Sequence, residues 1–188
     1  VAGGRADIAA LGLANIALRT CDITAVDANF GRFDYIIAHG VYSWVPPAVR
    51  AKILSIFRER LAPQGVAYLS FNAYPGSRLR DLGRRMMLFH VRGLVEPLAQ
   101  ARQGRALLRF LAEVSDPDEV YGAVLREVAA RAQAKPDAVL FHDDLDAQAT
   151  AFLLHDVVEA AERETLQYLS EATFAHSALG APPEHARG

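Results

Sequence analysis

Phe33-Asp34-Tyr35-Ile36-Ile37-Ala38-His39-Gly40 is the stretch that decides how the chain folds. Its first six residues are rich in aromatic and β-branched side chains and lie between Gly31 and Gly40, the signature of a short buried strand. Toward the C-terminus, Pro46-Pro47 opens a helix that carries Val49, Ile53, Ile56, Phe57 and Leu61 at a spacing of three to four, and Pro63-Gln64-Gly65 closes it. Val66 to Phe71 predicts another apolar strand, ending in the turn-rich Asn72-Ala73-Tyr74-Pro75-Gly76. Toward the N-terminus, Asn15 to Thr20 alternates as a strand should and ends at Cys21-Asp22. Before it, Gly4 to Leu11 predicts a short helix stopped by Gly12. Short apolar strands with a helix between them follow the grammar of an open parallel α/β sheet.

Beyond Gly76 the pattern turns helical. Leu79, Leu82, Met86 and Phe89 form one stripe, and a second helix covers Pro97 to Val114. A third helix opens with the capping-box spacing of Asp116-Pro117-Asp118-Glu119 and points Val120, Val124, Leu125 and Val128 inward. After Lys135-Pro136-Asp137 an irregular stretch begins at Val139, Asp156 to Glu164 is helical again, and Leu166 to Leu169 alternates as a late strand. Charge is uneven: residues 78–92 hold five Arg and one Asp, whereas 113–171 hold fourteen acidic and four basic residues. A basic helix beside an acidic stretch is either a partner surface, an intramolecular match or two solvated faces.

Composition narrows the classes of function. The 188 residues are 52% hydrophobic and 22% charged, enough for a folded core and unlike a disordered or collagen-like chain. A net charge of −2 makes no global case for nucleic acid or an anionic membrane surface. The single Cys21 excludes an internal disulfide and makes a reducing, cytoplasmic setting the expectation. No apolar run reaches the roughly 18–20 residues of a membrane helix.

In an open parallel sheet, ligands bind outside the carboxyl ends of the strands. Three places qualify. After the first strand, Asp22 can accept a hydrogen bond from an exocyclic amine such as adenine N6, with Ile23 covering one ring face; an Asp capping a turn is the competing reading. After the second comes His39-Gly40-Val41-Tyr42-Ser43-Trp44, where glycine permits close approach of the backbone and Tyr42 and Trp44 can either wall a pocket or pack in the core. After the third comes the polar turn from Asn72 to Tyr74. No Gly-x-Ser-x-Gly elbow or phosphate loop is present, and His142, Asp143, Asp144, His155 and Asp156 do not have zinc-signature spacing.

The run from Phe33 to Pro46, with Arg60-Leu61-Ala62-Pro63-Gln64-Gly65-Val66-Ala67-Tyr68-Leu69-Ser70-Phe71-Asn72 and Tyr74-Pro75-Gly76, resembles class I S-adenosylmethionine-dependent methyltransferases. Leu140-Phe141-His142-Asp143-Asp144-Leu145 and Leu166-Gln167-Tyr168-Leu169-Ser170-Glu171-Ala172 resemble the "methyltransferase regulatory domain" of a bacterial subgroup. The resemblance implies an α/β fold, with a partial Rossmann-like methyltransferase sheet of about three parallel strands plus one late strand, followed by a mostly helical module. It implies a division into residues 1–76 (C-terminal part of the Rossmann-like domain), 77–182 (helical regulatory domain) and 183–188 (frayed tail). Asp156–Glu164 and Leu166–Leu169 resemble a helix and strand rejoining the sheet, which would make the helical module an insertion.

For the site, the resemblance implies S-adenosylmethionine as cofactor, met by Asp22 at the adenine amine, Ile23 over the ring, and Ala38, His39 and Gly40 along the methionine portion. Tyr42, Trp44, Asn72 and Tyr74 are implied on the substrate side, with His39 able to face it as well; no catalytic residue and no metal are assigned. The family's Gly-rich turn and ribose-binding acid are expected upstream of Val1. The chain is then a fragment that is inactive or binds cofactor weakly, and its acceptor is not specified. The helical module is a candidate surface for a protein partner. A non-enzymatic regulatory or interaction module is the alternative, and another nucleotide-binding α/β protein, taking NAD or ATP, is a third.

Overall fold

The structure is a computed structural model that describes residues 1–146 and 148–173. Helix α1 (Ala2–Ala10) ends at Gly12, whose φ of 64° lets the chain turn as the sequence requires. Strand β1 (Phe33–Ala38) is followed by a 3-10 turn at Tyr42–Trp44, helix α2 (Pro47–Arg60) and strand β2 (Leu61–Leu69). β1 and β2 are parallel, Tyr35 opposite Val66 and Ala38 opposite Leu69, with the register shifting between Phe33 and Tyr35. Parallel strands need a crossover between them, and α2 is that crossover. It packs Ile53, Leu54 and Phe57 into a core with Tyr42, against which Ile36, Ala38, Ala67 and Leu69 of the sheet's inner face lie.

A second parallel pair joins distant parts of the chain. Strand β3 (Asn72–Ala73) pairs with β4 (Ala151–Phe152), and Tyr74 N–H donates to the Phe152 carbonyl at 2.8 Å. Between them lie α3 (Arg78–Val91), α4 (Pro97–Val114), α5 (Val120–Ala134), the short α6 (Asp137–Leu140) and a π-turn at Phe141–Leu145. These bury Met87, Val91, Ala101, Leu108, Val128, Leu140 and Leu145 in a separate core. Helix α7 (Leu154–Arg163) then returns to the first core, where Val157 is buried and Leu166 packs alongside.

The α/β class and the mostly helical second half agree with the expectation, but several elements differ. Asn15–Thr20 forms no ladder: among the described residues no strand pairs with it, and Ile16 and Leu18 stay exposed. A single strand cannot satisfy its own backbone, whatever its pattern. Leu166–Leu169 is not a strand either; the late strand is Ala151–Phe152 instead. Thr165, at φ 58°, turns the chain so that Leu166 meets the core, and no glycine in the sequence marks that reversal. The α3 stripe is displaced in register: Gly83, Met87 and Val91 face inward, while Leu79 and Phe89 are exposed. Gly83 sets that register, because a Cβ there would lie 2.3 Å from Val128 Cγ1. The capping box before α5 does not form. Asp116 Oδ1 instead accepts from Asp118 N–H at 2.9 Å, the helix starts at Val120, and Val120 is exposed. Residues 139–145, expected to be irregular, are helical and π-turned. The expected tail at 183–188 lies outside the described residues.

Candidate functional site at the carboxyl edge of the sheet

β1 and β2 deliver their carboxyl ends side by side. Ser70 N–H donates to the Ala38 carbonyl at 3.1 Å, and Ser70 Oγ accepts from Gly40 N–H at 2.8 Å. Gly40 has φ 68°, and a Cβ there would meet nothing within 4 Å. The left-handed backbone, not crowding, is therefore what calls for glycine, and the surface above it is open to a ligand. His39 stands next to Tyr68, with Nδ1 3.5 Å from the phenol oxygen and ring centroids 5.9 Å apart. That contact is at the outer limit of a hydrogen bond and leaves the imidazole exposed.

Ser43 organises the next turn. It is fully buried; its Oγ accepts from Asn72 N–H at 2.8 Å and its carbonyl accepts from Thr150 N–H at 2.8 Å. One residue thus ties the loop after β1 to β3 and to the strand that returns from the helical half. On either side of it the aromatics diverge. Tyr42 is 4% exposed, with Phe152 and Phe71 at ring-centroid distances of 5.3 and 6.3 Å, and burial pushes its phenol pKa up. Its geometry is that of a core side chain. Trp44 is half-buried and stacks on His142 of the π-turn, with centroids 5.7 Å apart and planes 22° from parallel.

Asp22 caps the 3-10 turn Ile23–Ala25. Its Oδ1 accepts from Thr24 N–H at 2.8 Å and from Thr24 Oγ–H at 2.7 Å, and these bonds, the side-chain one foremost, hold its carboxyl below the usual range. Capping and ligand binding are compatible here: the residue is exposed, and its Oδ2 has no hydrogen-bond partner among the described residues. Ile23 packs partly against the α2 core, so only its outer edge faces solvent. Tyr74 donates its hydroxyl to Asp81 of α3, and that bond, with burial, raises its pKa. The Arg78 guanidinium lies 4.1 Å from the Tyr74 ring centroid.

The structure therefore gathers His39, Gly40, Trp44 and Asn72 around the strand ends through Ser70 and Ser43, with Tyr74 at the start of the helical half. Ser43, Ser70 and Tyr68 lie within the stretches that carry the resemblance, but their individual roles follow only from their tertiary neighbours. Asp143 and Asp144 are committed elsewhere: Asp144 takes Arg80 Nε at 2.6 Å and Lys135 Nζ at 2.5 Å. An apolar hollow of about 260 Å³ lies at the other end of β1, lined by Phe30, Phe33, Ile56 and Arg60. Arg60 and Tyr35 are the polar side chains in its lining, and it lies at the opposite end of β1 from His39 and Gly40.

A parallel α/β unit whose strands end at an open edge is joined here to a helical bundle. Comparison with known proteins makes this specific. A family model described as "Predicted methyltransferase regulatory domain" matches residues 136–187. The chain is 36% identical to RP789 of Rickettsia prowazekii over 94% of its length, spanning 32% of that protein. It is 31% identical to RP028 of the same organism, over 88% of this chain and 67% of that one. It is also similar to the solved structure of PKMT2 from Rickettsia typhi, at 32% identity and TM-score 0.82, covering 97% of this chain and 35% of that one. The same protein in complex with AdoHcy gives a TM-score of 0.83. The chain belongs to a family of methyltransferase-related proteins that carry the methyltransferase regulatory domain. It spans about a third of the length of RP789 and of PKMT2.

Proposed function

We propose that this chain contributes one edge of an S-adenosylmethionine site and the acceptor-facing side of a methyltransferase. The observation that carries this reading is the match along 97% of the chain to a structure solved with AdoHcy. The residues present fit the group: Asp22 offers a free, ionised carboxylate oxygen, and the Gly40 backbone leaves open space beside the strand ends. Asp22 would hold the adenine amine, the outer edge of Ile23 would touch the ring, and Ala38, His39 and Gly40 would flank the methionine portion. The cofactor supplies an activated methyl group. The chain's part is to orient it and the acceptor in line, which needs no dedicated base. Asn72, Trp44 and Tyr74 lie toward the acceptor, while Tyr42 holds the turn from within the core. The domain division at residues 76 and 77 remains part of this proposal, with β4 and α7 returning to the first unit.

The test is titration of S-adenosylmethionine into isotope-labelled residues 1–188, followed by NMR. The expected result is binding on the order of 1 mM, with shifts concentrated at Asp22, Ile23, His39 and Gly40 and lost in Asp22→Ala. Shifts confined to other residues would overturn the site assignment, and micromolar affinity would overturn the expectation of weak binding. The match of residues 136–187 to a regulatory domain favours a second reading, a module that controls methyl transfer without contacting cofactor. An absence of any shift on addition of S-adenosylmethionine supports it.

A further inference from the structure

Helix α3 divides its arginines between two faces. Arg80 and Arg84 turn toward the end of the helical core, where Arg80 pairs with Asp144 and Arg84 donates to the Asp146 carbonyl. Arg78, Arg85 and Arg92 recur every seven residues, which on a helix places them in one row about 10 Å apart. All three are exposed, and among the described residues none pairs with a carboxylate. Between the last two stands Phe89, 70% exposed, with the Arg92 guanidinium 4.2 Å from its ring centroid. The row starts at Tyr74, over which Arg78 lies, and so runs outward from the acceptor side of the proposed site.

The row thus carries three exposed arginines without a carboxylate partner among the described residues, Phe89 lying between the last two and the Tyr74-bound Asp81 between the first two. Elsewhere in this helical half, exposed arginines are matched: Arg102 with Asp137, Arg109 with Glu113 and Arg131 with Glu127. We propose that the α3 stripe docks an acidic amphipathic helix of the methyl-accepting protein, a deepening that rests on the methyltransferase reading above. Charge complementarity requires acidic side chains. The spacing requires a helix, because seven helical residues also span about 10 Å and return to one face, whereas strand residues on one face recur about every 7 Å. Phe89 requires an apolar side chain between the acids. A single row without a basic groove, in a chain of net charge −2, favours a protein over a nucleic acid.

The experiment uses the natural full-length protein and a fluorescein-labelled helical peptide three heptads long, with Glu every seven residues and Leu four after each Glu. Fluorescence anisotropy is expected to show saturable binding, weakened at least about tenfold by Arg85→Glu/Arg92→Glu and less by Arg85→Gln/Arg92→Gln. A peptide with Lys in place of Glu is expected to restore binding to the charge-reversed protein. Equal binding of a shuffled peptide, no effect of the reversal, no rescue, or tighter binding of oligouridylate each overturns the proposal. So does a wild-type dimer that the reversal dissociates, which would assign the face to a second copy. S-Adenosylmethionine affinity, measured on the same proteins, separates the two claims: peptide binding without cofactor binding sinks the methyltransferase reading and spares the surface, and the converse sinks the surface alone.

Discussion

In the helical bundle, Leu108, Leu125 and Leu140 are 1% exposed, and the flanking charges of Arg80, Lys135 and Asp144 find one another. In the sheet region, Tyr35 and Ile37 on the outer face of β1 are 75% and 70% exposed, although both carry a large apolar surface. A helix satisfies its own backbone and needs one buried stripe, so three helices can enclose a core. A strand depends on lateral partners for its hydrogen bonds and, in a parallel pair, on layers over both faces. Here α2 and α7 cover the inner face, and the outer face carries Phe33, Tyr35, Ile37 and Val66 in contact with solvent.

Substitutions in the two regions test that contrast. The largest effect is expected from Leu108→Ala, which leaves a cavity among packed helices and should cost about 3–4 kcal/mol in denaturant unfolding. Tyr35→Ser on the exposed strand face should change stability by less than about 0.5 kcal/mol. Equal losses at the two positions would erase the distinction between a closed and an open region. Next comes Asp144→Ala, which removes the carboxylate that Arg80 and Lys135 share and leaves them only Asp143; it should destabilise by about 2 kcal/mol, read from the thermal midpoint. Gly83→Ala forces α3 away from Val128 and should cost about 2 kcal/mol despite the better helix propensity of alanine. Hydrogen exchange should localise the loosening to α3 and α5.

Smaller effects belong to the seam between the two regions. Ser43→Ala removes the acceptor for Asn72 N–H and should cost about 1 kcal/mol, with faster amide exchange at Asn72 and little change within α4. The smallest is a pH effect at the bundle's edge. Arg105, and then Arg102, hold the Asp137 carboxyl below its ordinary value of 3.8. A depressed folded-state pKa contributes stability above that ordinary value and loses it as pH falls toward the folded one. The unfolding midpoint is therefore expected to drop as the solution is acidified below 3.8, less steeply in Asp137→Asn.

How much was legible can be followed residue by residue. Phe33–Ala38 and Pro97–Val114 follow from their patterns, because an aromatic and β-branched run between glycines has few other uses and a capped amphipathic run has fewer. The α3 register was not legible: Leu79 and Phe89 are more apolar than Gly83, and only the approach of Val128 selects the glycine face. At the candidate site, His39 and Gly40 stand out through their place after β1 and Asp22 through a predicted strand that does not form, whereas Ser43 and Ser70 matter through partners about 30 residues away in sequence.

Local sequence thus sets an apolar parallel-strand grammar, a helical second half, the helix stop at Gly12 and an uneven distribution of charge. These are local properties, set by side-chain shape, backbone freedom and periodicity. Only the tertiary structure decided that Asn15–Thr20 forms no ladder, that Ala151–Phe152 rather than Leu166–Leu169 supplies the late strand, and that α3 sorts its arginines into a paired face and a free one. Pairing and burial are relations between distant segments, and a pattern along one segment does not specify the neighbour that completes it.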